Sequence, residues 1–147
     1  MTRFVHVATA SGRIALSRVR VERAAELVLR AEGVRDAELS ITFVSVRRIV
    51  ALNWAHLRHR GPTDVISFGF APVDETGGVR GDIYIAPDIA RRNAVSHGAG
   101  VREELLRLVV HGVLHVIGHA HPVDDGRYRS AMWKRQEVLL RRAMVAS

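Results

Sequence analysis

Apolar residues recur at helical spacing between Arg102 and Gly118, at Leu105, Leu106, Val109, Val110, Val113, Leu114 and Ile117. A helix with such a stripe must have other elements packed over it, so the chain has to build a core. Composition agrees. At 147 residues, 48% hydrophobic and 25% charged, residues 1–147 read as one ordinary domain with enough apolar material to bury. Disordered, collagen-like and disulfide-scaffold classes are excluded. The chain has no cysteine, which also removes thiol nucleophiles, iron–sulfur clusters and cysteine zinc sites.

Strand and helix patterns are mixed along the rest of the chain. Thr2 to Ala8, Ala37 to Phe43, Val65 to Phe68 and Gly81 to Ile85 read as strands, rich in β-branched and aromatic residues. From Ser17 the spacing turns helical, with Val21, Ala24, Ala25, Val28 and Leu29 on one face and Gly33 as a plausible C-cap. Ser45 can cap a second helix with Val46, Ile49, Val50 and Leu52 as its stripe. Pro87 opens a short helix to about Ala94, and a last helix runs from about Asp125 to Met144. The short spacing between the third and fourth strands points to a hairpin within a mixed sheet. The expected architecture is α+β: one domain with about four strands and about five helices. Trp54 and Trp133 sit on apolar helical stripes and are expected in the core.

The segment His111-Gly112-Val113-Leu114-His115-Val116-Ile117-Gly118-His119-Ala120-His121 holds four of the eight histidines. His111 and His115, four apart on a helix, project from the same face one turn apart, placed to share one ion. Gly118 follows where the helix is expected to stop and turn back, which can bring His121 to the same point as a third ligand. Three protein ligands with one open position is the arrangement of catalytic zinc, although nickel, copper or cobalt also accept imidazole. The spacing is also that of the metzincin peptidases. Their general base is a glutamate directly after the first histidine, and here that residue is Gly112, so peptide hydrolysis lacks its proton acceptor.

The formal charge is +7, carried by arginines and the single lysine Lys134. Such a balance suits RNA, DNA or a nucleotide, and equally a plain arginine-rich composition. No window of ~18 uncharged apolar residues exists, so no membrane span is expected. The first residues lack the apolar run of a signal peptide, and a cytoplasmic setting is expected.

Taken together, these blocks resemble the YbeY family of bacterial single-strand-specific metallo-endoribonucleases. Residues 111–121 resemble its His-Gly-x-Leu-His-x-x-Gly-x-Asp-His motif, with Ala120 in place of the aspartate. Leu52-Asn53, Pro62-Thr63-Asp64-Val65-Ile66-Ser67-Phe68 and Gly81-Asp82-Ile83 resemble further blocks in the same order, and Met132, Gln136-Glu137 and Leu140 resemble its last helix. The resemblance implies a YbeY-like α+β metallohydrolase that cuts RNA in ribosomal RNA maturation and ribosome quality control. It also implies one zinc per chain held by His111, His115 and His121, which act in catalysis through the water the ion carries. RNA of the small ribosomal subunit is the implied partner. An arginine the family often carries after Leu-Asn falls at Leu57, so its neighbour Arg58 is the candidate phosphate contact. With Ala120 replacing the motif's aspartate, His119, Asp124 or Asp125 are candidates to orient a ligand from behind. Two other readings stay open: a metallohydrolase of another substrate, and a non-catalytic RNA- or ribosome-binding protein whose metal is structural.

Overall fold

The computed structural model describes residues 2–10, 14–70, 78–119 and 126–145. The strands are β1 (Arg3–Thr9), β2 (Ala37–Phe43), β3 (Val65–Phe70) and β4 (Val79–Ile85), and the helices are α1 (Arg18–Ala31), α2 (Val46–Leu57), α3 (Pro87–His97), α4 (Val101–His119) and α5 (Gly126–Val145). Four strands form one mixed sheet in the order β1-β2-β4-β3. β1–β2 and β2–β4 are parallel, and β3 returns antiparallel on β4, the expected hairpin, which leaves β3 at the edge.

Local chemistry explains the element ends. The Ser17 hydroxyl accepts from the Arg20 N–H, and the Ser45 hydroxyl accepts from the Arg48 N–H. Each cap satisfies a donor that the first turn leaves unpaired, worth about 1 kcal/mol. Gly33, at φ +73°, ends α1 in the left-handed region. Its N–H donates to the Arg30 carbonyl and the Val34 N–H to the Leu29 carbonyl, which is the Schellman arrangement.

The sheet buries two unequal faces. Leu39, Ile41, Phe43, Ile83 and Ile85 meet α1, α4 and α5 in the main core. α1 turns in Val21, Ala24, Ala25, Val28 and Leu29, the face read from spacing. On the other face α2 closes a smaller cluster of Ile49 and Leu52 with Ile66, Val44 and Ala86. No helix among the described residues is long and apolar enough to cross a membrane.

Two expectations fail. Trp54 is 43% exposed and Trp133 is 57% exposed. Trp54 follows Leu52 by two residues, about 200° around the helix, which turns it away from the sheet. Trp133 lies one turn before Gln136 on α5, where the helix borders a cleft instead of the core. The α4 helix also continues through Gly118 to His119 instead of stopping at the glycine.

Candidate functional site

The site is built on α4, and two glycines decide how close α4 lies to the sheet. A Cβ added at Gly112 would lie 2.7 Å from Ile83 Cγ2 and 3.3 Å from Ser67 Oγ. One added at Gly81 would lie 2.5 Å from Val116 Cγ1 and 2.7 Å from the Phe68 carbonyl. Real side chains do not approach that closely, so any other residue at either place pushes helix and hairpin apart. A glutamate at 112 would start inside Ile83. The peptidase alternative therefore lacks both its base and the room for one.

With α4 seated, the rings of His111 and His115 lie with centroids 4.6 Å apart and planes tilted by 57°. The i,i+4 spacing brings these two residues together as expected. His111 is half-buried and His115 exposed, at the outer end of α4. His119 is the last residue of the helix. His121, Asp124 and Asp125, named as third ligand and as candidates for orienting a ligand, lie outside the described residues. Among the described residues no group of three or more His, Asp or Glu could hold a metal ion, so the described site supplies two imidazoles.

What stands behind His111 comes from α5. Its Nδ1 lies 2.6 Å from Gln136 Oε1. Gln136 is 1% exposed, and its Nε2 donates to Glu137 Oε2 at 3.1 Å. A carboxylate only accepts, so this bond fixes which end of the amide is nitrogen and turns the carbonyl oxygen to His111. His111 must then carry its proton on Nδ1, leaving the Nε2 lone pair for a ligand role. This is the tautomer a metal ligand needs. The donor set of two neighbouring imidazoles, one held in that state, fits zinc.

Glu137 is anchored in turn. Arg107 donates to both its oxygens at 3.1 Å and to Glu104 Oε2 at 2.7 Å. Burial pushes the Glu137 carboxyl up, but hydrogen bonds from Arg107 and Gln136 and the charge of Arg107 outweigh it, so the group is held below its ordinary value. Arg107 is held above its own, chiefly by its hydrogen bond to Glu137. Glu104 is 3% exposed, a buried acid in the first turn of α4, where helix-end electrostatics alone would account for a negative charge and point to no further role. Sequence reasoning noted Gln136-Glu137 only as part of a resemblance. The usable signal was polar residues inside the apolar stripes of two helices, at Glu104 and Arg107 on one and Gln136 on the other.

A cleft of about 600 Å3 borders this network, lined by Asp64, Asn93, Glu103, His111, Trp133 and Gln136 among others. Asn93 donates to Asp64 Oδ2 at 3.1 Å across its wall, tying α3 to the start of β3. Arg58 does not line this cleft. It sits at the C-cap of α2 with φ 55° and ψ 26°, the single non-glycine residue of positive φ among the described residues. Its guanidinium carbon lies 5.2 Å from the centroid of the Trp54 ring. Leu57, where the family's arginine was expected, is 44% exposed.

Comparison with known proteins agrees with this architecture. Residues 8–144 match the family described as Endoribonuclease YbeY. A protein named Endoribonuclease YbeY from Frankia casuarinae is 35% identical over 92% of this chain and 72% of its own length. One of the same name from Aquifex aeolicus is 38% identical over 69% of this chain and 68% of its own. A Thermotoga maritima protein solved in solution superposes with a TM-score of 0.66 at 25% identity, over 95% of this chain and 89% of that one. The chain belongs to the YbeY family.

Proposed function

We propose that this chain is a metal-dependent endoribonuclease that hydrolyses phosphodiester bonds in single-stranded RNA. Its setting is the maturation of ribosomal RNA in the cytoplasm, with RNA of the small ribosomal subunit as partner. Relatives named Endoribonuclease YbeY support the reaction class. The observation that carries the site is the Nδ1 of His111 held on Gln136 beside the ring of His115.

His111 and His115, with His121 as the third ligand, would hold one zinc ion. When bound, the ion supplies Lewis acidity toward water and toward a phosphoryl oxygen. The chain's own residues do the positioning. Gln136 keeps His111 oriented, with its Nδ1–H engaged and Nε2 outward. Arg107 and Glu137 hold that amide in place. Gly112 carries no side chain, so proton transfer falls to another group, to substrate or to solvent. Arg58 supplies a guanidinium for a phosphate of the substrate, a group whose fork of donors matches phosphate oxygens. His119, Asp124 and Asp125 remain candidates to support the ligands.

The test is metal analysis coupled to cleavage of a single-stranded RNA, wild type against His111→Ala. The wild type is expected to hold one zinc per chain and cut; the variant should lose both. A metal-free wild type, or a variant that cuts equally well, overturns the proposal. Cleavage of casein but not RNA would favour the hydrolase of another substrate.

A further inference from the structure

Two cation–π contacts occur among the described residues, and both use one ring. Arg58 and Arg60 each place the guanidinium carbon 5.2 Å from the centroid of Trp54, an exposed side chain. The two cations therefore lie no more than twice that distance apart. Neither forms an ion pair or donates a side-chain hydrogen bond among the described residues. The ring engages the positive charge and leaves the N–H donors unspent, which suits them to an anion that accepts two bonds at once.

The backbone that brings them there is fastened. The Arg58 N–H donates to the Trp54 carbonyl at 3.1 Å and the His59 N–H to the Asn53 carbonyl at 3.3 Å. The buried Asn53 donates from Nδ2 to the Gly61 carbonyl at 3.1 Å. Gly61 takes φ +92°, and Arg58 itself adopts the left-handed conformation that an arginine seldom does. The loop from 58 to 61 is thus tied at both ends to the last turns of α2. Flexible arginines lose rotamer freedom on meeting a phosphate, and a pair already laid on a ring has less to lose.

We propose that Trp54, Arg58 and Arg60 form a two-point phosphate clamp for single-stranded RNA. Arg60 is its second phosphate contact, and Trp54 is a positioning residue that holds both guanidinium groups. The clamp rests on the reading of the substrate as RNA. It also accounts for an exposed tryptophan and for the displacement of the expected arginine from Leu57 to its neighbour.

The experiment is fluorescence anisotropy with the full chain and a labelled 2′-O-methyl single strand, which binds without being cut, across a range of salt. Arg60→Gln should weaken binding several-fold and reduce the slope of log affinity against log salt by about 0.7, the share of one phosphate contact on a single strand. Arg58→Gln should do the same. Trp54→Ala should weaken binding several-fold, and Trp54→Phe should restore it. In the Arg58→Gln/Arg60→Gln background, Trp54→Ala should cost nothing further. With cleavable RNA, the Arg60→Gln effect should fall on KM with kcat kept. An unchanged salt slope in Arg60→Gln overturns the clamp while leaving RNA cleavage intact. A Trp54→Ala loss that persists in the double-glutamine background overturns the positioning role. Displacement of the RNA by polyglutamate at equal charge concentration would assign the patch to an acidic protein instead. A wild type that binds no RNA overturns both the clamp and the reading beneath it. Should Trp54→Ala fail to fold, the Arg60→Gln slope still decides.

Discussion

One amide group settles the chemistry of His111. Gln136 can face the ring with its oxygen only because Glu137 holds its nitrogen. Gln136→Leu keeps the volume and removes the acceptor, leaving an N–H without a partner in a nearly dry place. Zinc affinity is expected to fall about 10- to 100-fold, the usual cost of losing a ligand's outer partner, and a metal titration with a competing chelator measures it. An unaltered affinity would remove Gln136 from the site. Gly112 answers a different question. Gly112→Ala puts a methyl 2.7 Å from Ile83 Cγ2 and should cost about 1–3 kcal/mol of stability by overpacking. In an Ile83→Ala background, which lacks Cγ2, Gly112→Ala should cost less if that clash is the cause, as read by denaturant unfolding of the double-mutant cycle. The doublet His111-Gly112 is legible in the sequence, but Gly112 reads there only as a missing base. That the glycine seats the helix needs the sheet beneath it.

At the scale of elements, α4 and α5 are joined by a charged relay inside an otherwise apolar seam. Arg107 serves Glu104 on its own helix and Glu137 on the next. Arg107→Met leaves two acids without their partner, one of them almost fully buried, and should destabilise by about 3 kcal/mol or more. Thermal unfolding would show it. The same relay predicts how the protein meets acid. Because the folded state holds the Glu137 carboxyl below its ordinary 4.5, its stabilising contribution is complete above that value and is lost as pH falls through the folded one. Stability should drop more steeply below about pH 4.5 in the wild type than in Glu137→Gln, and parallel curves would contradict the assignment. The elements themselves were largely legible. Serine caps, period-two strands and the α1 stripe all reflect interactions within a few residues of each other. Trp54 and Trp133 were misplaced for the opposite reason: an apolar residue on a helix is buried only if something covers it, and spacing does not say what does.

For the whole molecule, metal and stability should be linked. If the histidine site binds zinc only when folded, zinc at a hundredfold excess over its Kd adds about 2.7 kcal/mol to the unfolding free energy. For a chain of this size that raises Tm by roughly 5–10 °C, and His111→Ala should show no such shift. Excess charge belongs to this scale too. A charge of +7 favours a polyanion without naming a residue, whereas two guanidinium groups on one tryptophan mark a place on the surface. Sequence alone determined the class of fold, one domain with a mixed sheet, and the pair His111 and His115, because helical spacing puts residues four apart on one face whatever surrounds them. The resemblance to YbeY was legible for the same reason, as blocks of residues in order. The tertiary structure alone decided what stands behind His111, why Gly112 must be glycine, and which arginines share a ring. Gln136 is 25 residues from the histidine it orients, and such pairings exist only once two helices have packed.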